Sequence, residues 1–247
     1  MYHTKLRNIQ ILAKSKIFQI LYGYTDIMEK QTKIYLEGIE RSGNVFLTYC
    51  IIDRFNSEII SNRDHTLTTL KNYTGSDPFI VPVRDALPSI VSSKIYRDYV
   101  FKNSLYGNTN GWDTNIEIII GRYKEYMEFL LDHPKFFIAP FDEFTKDHDI
   151  FLDVLVSQYP HLEKKKSITQ EELLKKIYKW ESQVKIESNN PAIGNLPRQA
   201  SADKKKITEE ILLDYSHEIK EIQKNIDLVY KRYYIYKKSH LDSMAYL

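Results

Sequence analysis

Only one cysteine, Cys50, occurs in the 247 residues, so no disulfide can form within the chain. That excludes the disulfide scaffolds of small secreted domains and fits a reducing compartment. Cys50 lies in an apolar stretch, where a free thiol behaves as a small buried hydrophobe. Glycine is also sparse, at 8 residues, so two glycines close together are a positional choice. A dominant charge is missing too. With 35 Lys and Arg against 33 Asp and Glu, the net charge is +2, too little for bulk nucleic-acid binding. Any anion site must therefore be local. No stretch approaches the length of a membrane span. The first residues, "MYHTKLRNIQILAKSKIFQILYGYTD", scatter their charges and lack a signal peptide's apolar core and small-residue cleavage site. The expectation is a soluble, cytoplasmic chain. His3, His133, His148, His161, His217 and His240 show no metal-ligand spacing, and no internal repeat is visible.

What is present is core material: 43% of the residues are hydrophobic and 28% charged, enough to bury a substantial interior. "KIYLEGI" (33–39) reads as a buried strand ending in a glycine turn, and "NVFLTYCIIDRFNSE" (44–58) as a helix. "DPFIVPVRD" (77–85) is a second strand whose Pro82 predicts an edge position or a bend. A helix follows over 86–99, with Pro88 in its first turn, where proline is tolerated. Residues 101–115 read as an Asn/Gly-rich loop, 114–133 as a helix, 135–144 as a buried strand and 147–160 as a helix. The remainder, from about 165, is helical: 169–185, a long polar loop at 188–206, and a last helix from about 208 to beyond 230. Strands alternating with helices predict one α/β domain over 1–247, with a central, mostly parallel sheet flanked by helices.

The glycines cluster in "GIERSGNVF" (38–46). Strand, glycine turn and helix N-terminus together present backbone N–H groups and a positive dipole end to an anion. Gly38 and Gly43 have the spacing of a Walker loop, whose Lys and Ser/Thr would follow the second glycine. Asn44 and Val45 stand there instead: Asn44 carries no charge for a phosphate and Val45 cannot ligate magnesium. The cation is Arg41, ahead of the second glycine. After the next strand Arg84 offers a forked donor set, and Ser92, eight residues on, a hydroxyl.

"ERSGNVFL" followed by "VRDALPSIVSSKIY" resembles the sulfotransferases that use 3′-phosphoadenosine 5′-phosphosulfate (PAPS). In that family a basic residue, Ser, Gly, Thr or Asn, any residue, and Trp or Phe bind the 5′-phosphosulfate. Those places fall on Arg41, Ser42, Gly43, Asn44, Val45 and Phe46. A later strand ends in Arg, Asp or Asn, Pro, five residues and Ser, which bind the 3′-phosphate; here these are Arg84 and Ser92. Ala86 stands where the family has proline, and Val45 where cytosolic members often have Thr. "FIAPFDEFTKD" (137–147) is similar to a family segment whose aromatic residue packs on the adenine, which would make Phe141 either that platform or a core residue. The loop at 188–206 lies where the family closes a basic loop over the cofactor, with Arg198 as candidate and Lys204 to Lys206 as alternatives.

The resemblance implies a P-loop NTPase-like fold, PAPS as donor, adenosine 3′,5′-bisphosphate (PAP) as product, and no required metal. The acceptor would be a hydroxyl or amine on a saccharide, lipid or other small molecule. In-line sulfuryl transfer needs positioning and cations more than covalent catalysis, as in phosphoryl transfer. Arg41 would stabilise the charge that develops. The base that takes the acceptor proton would be His65, since "Arg63-Asp64-His65" resembles the Lys-Thr-His of cytosolic members. Glycan-modifying relatives use a glutamate, which makes Glu40 the rival. Two other readings stay open: a kinase or NTPase with a degenerate loop, and a non-catalytic α/β nucleotide-binding protein. Trp112 would wall an acceptor pocket or anchor its loop. The Tyr/Lys-rich stretch 229–240 reads as a helix packing through tyrosines with its lysines solvated, or as a surface for an anionic acceptor.

Overall fold

The structure, a computed structural model, describes residues 32–52, 54–55, 57–60, 65–102, 114–162, 164, 169, 171–179 and 202–245. Four strands form one all-parallel sheet: β1 (Thr32–Leu36), β2 (Ser57–Ile60), β3 (Phe79–Val83) and β4 (Phe137–Pro140), in the order β2-β1-β3-β4. Eight helices accompany them among the described residues. They are α1 (Asn44–Ile52), α2 (Leu67–Lys71), α3 (Ala86–Lys102), α4 (Ile116–Asp132), α5 (Phe141–Lys146), α6 (His148–Gln158), α7 (171–179) and α8 (Ala202–Met244). All belong to one compact unit, Thr32–Leu247. None of the described helices is long and apolar enough to cross a membrane.

A buried parallel strand carries apolar side chains on both faces, and β3 is buried at every position. Phe79, Val81 and Val83 join a core built with α2, α3 and α4. Ile80, with Ile34 and Leu36 of β1, joins the opposite core with α1, α6 and α7. The helix α8 serves both layers: Ile219, Ile222, Ile226 and Val229 enter the first core and Tyr233 the second. Non-helical dihedrals at Tyr215 (φ −130°, ψ 24°) kink it.

The order of the strands fixes where a ligand crevice opens. From β1 the chain moves outward to β2, then crosses back over β1 to β3 and continues to β4. Parallel crossovers are right-handed, so reversing direction sends the connecting helices to opposite faces. The loops after β1 and β3 therefore part from each other, and the gap at their carboxyl ends is the topological switch point of the sheet.

Several expectations change; among them, the strand read over 135–144 spans only Phe137–Pro140, with Phe141–Lys146 helical. Pro82 lies in an internal strand, between β1 and β4, where a proline usually costs a ladder bond. The backbone explains its presence. Tyr35 N donates to Pro78 O at 2.8 Å and Glu37 N to Ile80 O at 3.3 Å, so even-numbered residues face β1. β1 has ended at Leu36 by the level of Pro82. The missing N–H thus falls where no strand remains, and the rungs to β4 stay complete through Val83↔Pro140. The helix read over 44–58 stops at Ile52, and Ser57–Ile60 is a short edge strand. Four residues with partly exposed sides carry too little periodicity to be separated from a helix. The last helix starts at Ala202, so Lys204, Lys205 and Lys206 are helical rather than part of a loop. Arg198, Trp112, Arg63 and Asp64 lie outside the described residues, as do 1–31 and most of the 188–206 segment.

Candidate functional site

The chain between β1 and α1 is a loop whose carbonyls are taken one after another by side chains. Tyr126 OH donates to Glu37 O at 3.4 Å, and Asn44 Nδ2 to Gly38 O at 3.0 Å. Ser42 Oγ donates to Ile39 O at 2.6 Å and Tyr123 OH to Glu40 O at 2.6 Å. Four successive acceptors are thereby occupied by side chains, and an anion is repelled by carbonyl oxygens and drawn to N–H groups. The conformation needed is unusual: Arg41 has φ 65° and Gly43 φ 97°. A Cβ on Gly43 would sit 2.7 Å from Phe141 Cδ2 and 2.8 Å from Phe144 Cζ, so only glycine fits. An arginine in the left-handed region is strained by roughly 1–2 kcal/mol, strain of a kind that clusters at functional sites.

The second turn follows β3. Ser92 and Tyr96 lie one turn apart on α3, and Arg41 reaches both: its Nε donates to Ser92 Oγ at 3.0 Å, and its guanidinium lies 5.2 Å from the centre of the Tyr96 ring. Arg84 stacks its guanidinium 4.5 Å from the centre of Phe141, the first residue of α5. Phe141 is the ring that crowds Gly43. The structure therefore brings Arg41, Gly43, Arg84, Ser92 and Phe141 together at the switch point. Cation and ring stack in a manner worth about 0.5–2 kcal/mol according to exposure.

The other predicted residues are placed with different partners. Ser42 and Asn44 are buried and direct their side chains into the loop itself, and the Ser42 N–H donates to Ile39 O at 3.3 Å. The Asn44 Oδ1 atom is buried without a hydrogen bond. Val45 is half-buried, and Phe46 packs on Phe144 with centroids 6.0 Å apart. Glu40 pairs with Arg97 of α3 rather than with Arg41, and both are buried.

His65 approaches the loop from the β2–α2 connection, with φ 55°. Its Nδ1 lies 2.9 Å from Gly38 O and 3.5 Å from Glu37 Oε1. Asn44 Nδ2, a donor, lies farther off at 3.4 Å than the Gly38 acceptor, and the shorter Gly38 bond assigns the proton to Nδ1 and leaves Nε2 as the basic nitrogen. Burial lowers the imidazole pKa, but the nearby Glu37 carboxylate, the hydrogen bond to the Gly38 carbonyl and the charge of Glu40 outweigh it, and the net shift is upward. Beside it a cleft is lined by Ile39, Glu40, Arg97, Ile119, Arg122 and Tyr123. Burial, reinforced by Glu40, pushes the Tyr123 hydroxyl well up and keeps it a donor.

Glu37, Arg97, Tyr123 and Tyr126 have no motif in the sequence. Tyr123 and Tyr126 sit three residues apart on one face of α4, a signal that reads only as core. Among the described residues no group of three or more His, Cys, Asp or Glu side chains is arranged to hold a metal ion. Comparison with protein-family models, curated proteins and solved structures returns no match.

Proposed function

We propose that this chain is a sulfotransferase. It would bind PAPS in the crevice between the β1 and β3 loops and pass the sulfuryl group to a hydroxyl or amine of a small-molecule or saccharide acceptor. One observation carries the reading: two motifs 51 residues apart meet through Arg41 Nε and Ser92 Oγ, while Arg84 rests on Phe141 against Gly43. Two arginines, a serine hydroxyl and an aromatic face gathered at one switch point suit a nucleotide that carries more than one phosphate.

PAPS supplies the sulfuryl group and a phosphate leaving group. The loop N–H groups and Arg41 hold the 5′-phosphosulfate, and Arg41 takes up charge as the bond from sulfur to the leaving oxygen breaks. Arg84 and Ser92 hold the 3′-phosphate, and Phe141 offers a face to the base. His65 accepts the acceptor's proton at Nε2 as the new sulfur–oxygen or sulfur–nitrogen bond forms. It is preferred over Glu40 because Arg97 occupies the Glu40 carboxylate.

Calorimetric titration with PAP in the presence of a chelator tests the site. Binding is expected without metal, and Arg84→Ala should weaken it more than tenfold, since losing a desolvated charged contact costs about 2–5 kcal/mol. Binding of ATP only, and only with Mg²⁺, would replace this reading with the kinase or NTPase one. Nucleotide binding with no sulfated product from any saccharide, lipid or small hydroxyl compound would leave a binding protein.

A further inference from the structure

The first N–H of α3 belongs to Ala86, which is fully buried. An N–H at a helix start has no partner within the helix, and proline is favoured there because it lacks the group. Ala86 retains it, and the acceptor comes from 137 residues away: Gln223 Oε1 on α8, at 2.9 Å. Accepting that bond fixes which way the amide faces. Its Nε2 then points at two carboxylates, Asp85 at 3.2 Å and Asp227 at 2.9 Å. One side chain thus ties down both residues that follow Arg84. Seven residues on, Tyr230 OH donates to Val83 O at 3.1 Å and ties down the residue before it. The guanidinium between these anchors lies on Phe141, and Lys237, further along α8, reaches Glu143 of the same short helix at 2.5 Å.

We propose that Gln223 is a positioning residue that determines recognition of the 3′-phosphate. It holds the Val83–Ala86 turn so that Arg84 faces the crevice, and it supplies by hydrogen bonding the stop that a proline at position 86 would supply by its ring. It also turns the Asp85 carboxylate toward α8, away from an arriving phosphate. The inference rests on the crevice being the nucleotide site, and it adds that the specificity for a 3′-phosphate is set from the C-terminal helix.

The test compares calorimetric affinities for PAP and for adenosine 5′-phosphate in the full chain, its Gln223→Leu and Gln223→Met variants, Ala86→Pro, and Ala86→Pro with Gln223→Leu. The wild type should favour the bisphosphate. Each Gln223 variant should cut that preference roughly tenfold with affinity for the monophosphate little changed. A general loosening of the fold would lower both affinities together and leave the ratio intact. With Ala86→Pro there is no N–H to orphan, so adding Gln223→Leu should cost only about threefold. If the wild type favours the bisphosphate and the Gln223 variants keep the full preference, the positioning role is overturned and the site reading stands. An equal loss for both ligands overturns it in the same way. A wild type with no preference for the bisphosphate overturns the site reading and this inference with it.

Discussion

At the scale of single residues the sharpest case is His65. Its titration is set by burial, which opposes the charge, and by Glu37, the Gly38 carbonyl and Glu40, which together favour it. Arg97 and Arg122 line the same cleft from α3 and α4, and the net shift is still upward from 6.5. The fold therefore prefers the imidazolium. That contribution to stability is fully present below 6.5 and is lost as pH rises through the higher folded value. A base must be neutral to accept a proton, so sulfuryl transfer should rise with pH through the same midpoint. In an NMR titration the wild-type midpoint is expected above 6.5, and Glu37→Gln should bring it down, because burial then acts with less opposition. The acid limb of the pH–rate profile should move with it. Identical midpoints in the two proteins would remove Glu37 as the cause. Arg41, Arg84 and Ser92 could be singled out from the sequence because their spacing within each motif is local. Glu37 was not: its role depends on His65, which reaches it from a separate loop 28 positions downstream.

At the scale of elements, the strand–loop–helix unit was legible because glycines are few and the two that cluster at its loop, Gly38 and Gly43, each mark a backbone requirement. What could not be read was how the loop sits on its neighbour. The place for a Cβ on Gly38 is 2.7 Å from Pro82 Cγ and 2.8 Å from Pro82 O. Gly38 and Pro82 are thus one joint, with the proline closing β3 where the glycine lets β1 turn away. Read from the sequence as an edge position or a bend, Pro82 becomes intelligible in an internal strand only when its neighbour's end is known. Gly121, exposed on α4, is the contrast: a Cβ there meets nothing within 4 Å. In urea unfolding, Gly121→Ala should stabilise by about 0.5–1 kcal/mol, the helix-propensity difference. Gly38→Ala should destabilise by roughly 1–3 kcal/mol, as overpacking does. Adding Pro82→Ala should not restore stability, because the carbonyl oxygen at 2.8 Å remains whatever the side chain. Rescue by the double variant would mean that the ring alone makes the joint.

At the scale of the whole molecule, α8 connects what the sheet separates. Its residues enter the core on each face of the sheet, and on the way it anchors the turn that carries Arg84. The alternation of strands and helices made the α/β class legible, but nothing local in a Tyr- and Lys-rich helix announces that it crosses both layers. Packed this way, the unit Thr32–Leu247 should unfold in one transition, and a ligand in the crevice should stabilise all of it. Ligand at a hundred times its dissociation constant adds about 2.7 kcal/mol, which in a chain of this size moves the midpoint by roughly 5–10 °C. Differential scanning fluorimetry with PAP in chelator should show that shift as a single displaced transition. Adenosine 5′-phosphate at the same concentration should give much less, since Arg84 and Ser92 would have no phosphate to hold. A second transition that ignores the ligand would mean that α8 does not unite the two cores. Equal shifts from both nucleotides would mean that the crevice does not recognise the 3′ position.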